Sequence, residues 1–223
     1  EQDLMAEARQ HGIICVAAAG NSAINQAEYP AACNYVISVA NTDASDYKNS
    51  SSTYHSSVDV SAPGSSIWST VNSSTSGYAT MTGTSMASPM VSGLIALMLS
   101  VNPSLTPDQI EGCLKSSCDD ISALNSSYSG FLGAGRINAK KALECISGNI
   151  CSNNLEPNES VATAKFIPIN LNVKGQIPTS NDKDYLKFQL YFPSDVSILL
   201  SNLPANYNIK LYNSAGSEIG SSA

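Results

Sequence analysis

Two short segments hold the residues best suited to chemistry. Gly83-Thr84-Ser85-Met86-Ala87-Ser88-Pro89 opens the most apolar stretch of the chain and sets Ser85 in the first turn of a helix. The N–H groups of a first turn have no partner within the helix, and the helix dipole is positive there, so a developing anion beside Ser85 is favoured. Gly83 is expected to let another backbone approach closely, with the small Ala87 and Ser88 keeping the surroundings open. An N-capping Ser or Thr ahead of a core helix is the ordinary alternative use of such a segment. The second segment, Ala17-Ala18-Ala19-Gly20-Asn21, ends an apolar strand in Gly-Asn. Its carboxamide then lies beyond the carboxyl end of a parallel strand, the edge at which open α/β sheets build their sites. A carboxamide N–H there can donate to an oxyanion. An Asn that merely accommodates a left-handed turn is the alternative.

The remaining reactive residues narrow the chemistry. The two histidines are His11, between a helix and a strand, and His55, in a loop, and both are expected on the surface. The six cysteines (15, 33, 113, 118, 145 and 151) include no CxxC pair, which with two histidines argues against zinc. An even cysteine count in a Ser- and Asn-rich chain fits an oxidising compartment. Cys113 with Cys118, and Cys145 with Cys151, are near enough in sequence to pair, while Cys15 in its apolar strand suits a buried thiol equally. Asn49, Asn72, Asn125 and Asn158 each begin an Asn-x-Ser acceptor sequence for glycosylation.

Positioning these residues requires a layered α/β unit. Residues 3–10 are helical by pattern and stop at Gly12; Ile13–Ala19 is a continuous apolar run of strand length, expected as a central parallel strand covered on both faces. Tyr35–Ala40 and Ser57–Ser61 are further strands, and Ile67–Val71 with Tyr78–Met81 form a hairpin. Helices are expected over Ser85–Ser100, apolar nearly all round, over Pro107–Ser116 behind a Thr106 cap, and over Asn138–Ile146. Strands alternating with helices predict an α/β layer. Residues 147–157 are rich in Ser, Asn and Gly and have the composition of a linker. Beyond them, Ala164–Ile169, Tyr185–Leu190, Val196–Leu200 and Ile209–Tyr212 are short strands without helices, predicting a small all-β sandwich over residues 158–223.

Composition excludes several function classes. Apolar residues are 43% and charged residues only 13%, enough for a packed core. Eleven Lys and Arg lie scattered in a chain of net charge −7, so no nucleic-acid partner is expected. No uninterrupted apolar run approaches about 18 residues, so no membrane span is expected. Glu1 stands within a helical pattern and the last residues follow a strand signal, so the sequence is expected to be part of a longer protein.

In this order, AAAGN and GTSMASP resemble the subtilisin-like serine proteases, or subtilases. SVDVSAPG at residues 57–64 resembles the family's strand before its Ala-Pro-Gly turn, and Tyr29-Pro30-Ala31 with Val36-Ile37 resembles the segment after its oxyanion Asn. The resemblance covers residues 1–146 and implies a partial subtilisin-like domain with a mostly parallel sheet flanked by helices. It implies that Ser85 attacks the scissile carbonyl, with its own N–H and Asn21 stabilising the oxyanion. Ala18, Ala19, Gly20 and Ser22 would wall the specificity pocket, with Glu28 near its base, where a buried carboxylate favours Arg or Lys; a solvated loop Glu28 is the alternative. Asp59 would be a ligand of a structural Ca²⁺ joined by carbonyls near Val36, or else a plain structural carboxylate. The chemistry itself requires no cofactor. The family's Asp and His motifs are not in this sequence, so these 223 residues alone are expected to be inactive.

Glu156-Pro157-Asn158-Glu159-Ser160, Asp182-Lys183-Asp184-Tyr185, and Leu203-Pro204-Ala205-Asn206-Tyr207 with Leu211–Gly216 resemble the pre-peptidase C-terminal domain, a β-sandwich of secreted bacterial peptidases. Together the two resemblances imply a secreted, monomeric serine endopeptidase acting on proteins or peptides. The alternative is an inactive relative used as a binding or adhesion module, for which retaining both Ser85 and Asn21 has no physical need.

Overall fold

The computed structural model describes residues 1–72, 76–147, 160–167, 183–188, 195–199 and 208–221. Helix α1 (Gln2–Gln10) leads into three parallel strands, β1 (Cys15–Ala18), β2 (Val36–Thr42) and β3 (Val60–Pro63), in the order β1-β2-β3. The antiparallel hairpin β4 (Ile67–Thr70) and β5 (Tyr78–Met81) follows, with the pairing expected from its turn-flanked runs. Helices α2 (Thr84–Val101), α3 (Pro107–Ser116) and α4 (Ala139–Ile146) complete the unit.

Every residue of β2 is buried, as the central strand of the trio must be. The apolar run at Ile13 supplies instead a strand on the edge of this sheet. β1 begins only at Cys15, its four residues are half-buried, and Ile13 is exposed. The third strand also starts later than the residue pattern predicts. The Val58 N–H is turned back onto the His55 carbonyl, and pairing with β2 begins at Val60. Strands and helices do not alternate either. Strands β1–β5 all come before α2, and this one helix packs against β1, β2 and β3.

Helix α2 is, among the described residues, the one long and apolar enough to cross a membrane by length and composition. In the fold it is a sheet-packing helix, with Ala87, Val91, Leu94, Ile95 and Met98 buried and Met90, Leu97 and Val101 exposed. A helix apolar on all sides was expected to be wholly enclosed; here the sheet covers a single face. Helix α3 starts with the anticipated cap. Thr106 Oγ1 accepts from Gln109 N while Gln109 Oε1 accepts from Thr106 N, and Pro107 occupies the first turn.

A disulfide joins Cys113 in α3 to Cys145 in α4. It replaces both short-range pairings, because each would use a cysteine already committed to the other helix. Cys118 is free, its thiol donates to the Leu114 carbonyl, and burial pushes its pKa up to about 12. Cys15 and Cys33 are also free, and Cys151 lies outside the described residues.

Two sequons are spent on structure. Asn125 is buried, accepting from Lys48 N and donating to the Asp46 and Ile121 carbonyls, and the Asn49 carboxamide bonds Ser51 and Ser65. Both carboxamides are thus engaged in contacts within the fold. The Asn158 sequon lies outside the described residues.

Most of the proposed linker and much of the C-terminal segment also lie outside them. What is described there is a two-residue parallel pair, β6 (Lys165–Phe166) with β7 (Leu186–Lys187), and a hairpin, β8 (Lys210–Tyr212) with β9 (Glu218–Ser221). Residues 196–199 are not a strand. Ala164 is buried, Ile167 packs against the main core, and Phe166 lies 5.5 Å from Lys115 Nζ. Residues 164–167 thus dock on α3.

Candidate active site

The turn Ala62-Pro63-Gly64 carries the end of β3 against the start of α2. Gly64 O accepts from Gly83 N at 2.9 Å, and a Cβ on Gly64 would lie 2.6 Å from Gly83 O and 2.9 Å from Ala87 Cβ. The close backbone approach read into Gly83 is therefore required of Gly64. A Cβ at Gly83 would meet only ordinary contacts with the Asn21 carboxamide, the nearest at 3.4 Å.

That carboxamide is held by the helix start. Asn21 Oδ1 accepts from Thr84 N at 3.0 Å and from Thr84 Oγ1 at 3.2 Å, and Thr84 Oγ1 accepts in turn from Gly20 N at 3.3 Å. A peptide N–H can only donate, so the atom facing Thr84 must be the oxygen. Asn21 Nδ2 then points elsewhere with no hydrogen bond among the described residues. Ser85, second residue of α2, is exposed, and its N–H is likewise unbonded among them. Two donors and a hydroxyl thus gather at the positive end of an 18-residue helix.

The expected pocket wall is drawn together behind Asn21. Ala18 ends β1, Ala19 is buried, and Gly20 has φ +105°, a conformation that favours glycine. A Cβ there would also meet Glu28 Cγ and Thr53 Oγ1, each at 3.0 Å. Glu28 is half-buried and its Oε1 lies 3.5 Å from the Ser22 hydroxyl. The residue sequence reasoning missed is Thr53. Its N–H donates to Gly20 O at 2.9 Å and its hydroxyl accepts from Ser22 N at 3.0 Å. No local signal marks Thr53, because its partners lie more than thirty residues away.

The two histidines make other contacts. His11 terminates α1, and His55 Nδ1 is turned to Ser57, accepting its N–H at 3.1 Å with its hydroxyl at 2.9 Å. Neither is hydrogen-bonded to Ser85.

Asp59 does not fit a cation site. Its Oδ1 pairs with Lys115 Nζ at 2.7 Å and its Oδ2 accepts Ser38 N at 2.8 Å, so a positive charge already occupies the carboxylate. Lys115 also reaches Glu111 Oε1 at 2.7 Å, and Glu111 Oε2 meets Arg9 at 2.8 Å. The ions run from α1 through α3 to the start of β3. Burial pushes the Asp59 pKa up, opposed by Lys115. Among the described residues no three His, Cys, Asp or Glu side chains gather as a metal site.

The chain is similar to known proteases. Over 149 residues, 64% of the chain, the sequence is 45% identical to the extracellular protease of Xanthomonas campestris pv. campestris, of which that stretch is 25%. Over 133 residues it is 43% identical to thermitase of Thermoactinomyces vulgaris, covering 60% of the chain and 45% of that protein. A solved protease structure from Pseudoalteromonas arctica PAMC 21717 superposes with a TM-score of 0.59 at 34% identity, covering 65% of this chain and 46% of that one. The chain therefore spans half or less of the length of these relatives. The Subtilase family model matches residues 2–138, more than half of the chain, and the chain belongs to the subtilase family.

Proposed function

We propose that this chain forms the nucleophile and oxyanion half of a secreted serine endopeptidase. The observation that carries the reading is the Thr84–Asn21 pair, which turns the carboxamide oxygen inward and leaves Nδ2 and the Ser85 N–H as unspent donors beside the Ser85 hydroxyl. Ser85 Oγ attacks the scissile carbonyl carbon, and the carbonyl oxygen, as it becomes an anion, accepts from those two donors. The proton leaving Ser85 goes to a histidine oriented by an aspartate. Neither histidine of this chain takes that role, so the reading assigns both groups to chain beyond residues 1–223. The name of the Xanthomonas relative, an extracellular protease, supports an extracellular location for this one. The C-terminal segment is read as a pre-peptidase C-terminal sandwich, supported by its sequence motifs and the antiparallel β8–β9 hairpin.

Glu28 sets the substrate class in this reading. Packed against Gly20 behind Ala18 and Ala19 and next to Ser22, its carboxylate faces the side chain that precedes the scissile bond and selects Arg or Lys.

The test uses a protein that carries this chain together with the histidine and aspartate. A serine-directed phosphonate is expected to label Ser85, and Asn21→Ala to lower kcat by about 10²–10³, the loss found on removing such a donor from a subtilisin. Labelling of another serine would overturn the nucleophile assignment, and no labelling at all would favour an inactive binding module. Glu28→Gln is expected to lower kcat/KM for Arg and Lys substrates about tenfold or more while sparing apolar ones.

A further inference from the structure

Lys48 is a buried cation with no carboxylate partner among the described residues. It is 9% exposed, and its ammonium donates to the carbonyls of Asn49 at 2.8 Å and Ser52 at 2.9 Å. The rings of Tyr128 and Tyr54 lie 4.7 and 5.3 Å from Nζ. The carboxylates nearest in sequence are turned away: Asp43 accepts the N–H groups of Ser45 and Tyr47, and Asp46 pairs with Arg136. Two peptide dipoles and two π faces are thus what hold the charge. A buried charge held only by neutral groups is an unusual expense for a loop, and it asks what the loop does.

The two carbonyls bound by Lys48 close one turn, in which Ser52 N donates to Asn49 O at 3.0 Å. That turn and Thr53 after it make three hydrogen bonds to the residues around Asn21. Thr53 N donates to Gly20 O at 2.9 Å, Ser22 N to Thr53 Oγ1 at 3.0 Å, and Ala23 N to Ser51 O at 3.0 Å. The backbone on both sides of Asn21 is therefore suspended from the turn that the ammonium closes. We infer that Lys48 is a positioning residue for oxyanion stabilisation, acting through the 49–53 turn to fix the Gly20–Ala23 backbone that aims the Asn21 carboxamide. The inference rests on the role given to Asn21 above. Burial also lowers the Lys48 pKa, so its charge can be switched off below the pH at which an ordinary lysine titrates.

Two experiments separate this inference from that reading. In the protein that carries this chain together with the histidine and aspartate, Lys48→Met is expected to lower hydrogen-exchange protection of the Ser22 and Ala23 amides at least tenfold, leaving the Ile110 amide in α3 unchanged. Unchanged protection at 22 and 23, or an equal fall at Ile110, would overturn it. In the same protein without substitution, where no variant has to fold, the Ser22 and Ala23 amide nitrogen shifts are expected to titrate together with the Lys48 side chain. Tyr54 and Tyr128 are the titratable groups against it, and their ring signals distinguish their ionisation. Amide shifts that do not follow Lys48 would likewise overturn the proposal. In the active enzyme, Lys48→Met is expected to lower kcat about tenfold with KM within twofold, and to have no further effect in an Asn21→Ala background. An equal loss in that background would mean that Lys48 acts elsewhere. Should Ser85 prove not to be the nucleophile, the peptidase reading fails while the exchange and titration results still report on the loop.

Discussion

Thr84 grips the Asn21 carboxamide oxygen twice, through its backbone N–H at 3.0 Å and its hydroxyl at 3.2 Å. The hydroxyl has one proton, which it gives to Asn21, and a lone pair, which receives the Gly20 N–H. Thr84 thus links the start of α2 to the end of β1, and its backbone N–H fixes the carboxamide with the oxygen toward the helix.

Thr84→Val keeps the β-branched shape and the backbone donor but deletes the hydroxyl. In the active enzyme kcat is expected to fall about tenfold, equivalent to about 1.4 kcal/mol of transition-state stabilisation, with KM little changed. Thr84→Ser should retain most of the rate. Steady-state kinetics on a short peptide checks both.

Gly133 is locked by its surroundings. It has φ +71°, and a Cβ would lie 2.2 Å from the backbone carbon and oxygen of Asp59. Gly133→Ala combines a left-handed penalty with a backbone clash, for an expected loss of about 3–5 kcal/mol. Gly130 also has positive φ, at +80°, but has open space, so Gly130→Ala should lose only about 1–2 kcal/mol. Urea unfolding midpoints of the two variants test the contrast.

The Cys113–Cys145 bridge spans 32 residues of sequence and ties α3 to α4. The loop-entropy relation gives about 3–4 kcal/mol for a loop of this size. Cys113→Ser is expected to lower stability by that amount, whereas Cys118→Ser, which leaves the bridge intact, should change it far less. Mass mapping of the non-reduced chain should find Cys118 as a free thiol.

Lys115 lies between Asp59 and Glu111 with its side chain 7% exposed. Burial by itself would lower its pKa, but the two carboxylates outweigh burial and hold it above the ordinary lysine value of 10.5. A folded-state pKa above the unfolded one contributes stability that is complete below about pH 10.5 and lost as pH rises through the folded value. Lys48, with its pKa lowered by burial, acts with the opposite sign and below pH 10.5. Lys115→Met leaves Asp59 and Glu111 facing each other, and is expected to cost about 3–5 kcal/mol near neutrality. It should also flatten the alkaline decline of the native chain. Urea midpoints measured across the alkaline range read out both effects.

The sequence by itself determined the local elements on which the candidate residues sit. Ser85 at the mouth of an apolar helix and Asn21 after an apolar strand are local signals, because a helix start and a strand end are written in neighbouring residues. The same holds for the Thr106 cap and the β4–β5 hairpin, whose contacts lie within a few residues or across one turn. Tertiary structure decided everything that depends on distant partners. Thr84 meets Asn21 across 63 residues, and Thr53 reaches Ser22 across 31. Asp59, a cation ligand by the family resemblance, receives Lys115 from α3 instead. Cys113 likewise passes over the nearer Cys118 for Cys145, because α3 and α4 lie side by side. Neighbouring residues restrict φ and ψ and so fix local elements, whereas a pairing between remote side chains depends on how those elements stack, which is set by the sum of many weak packing contacts.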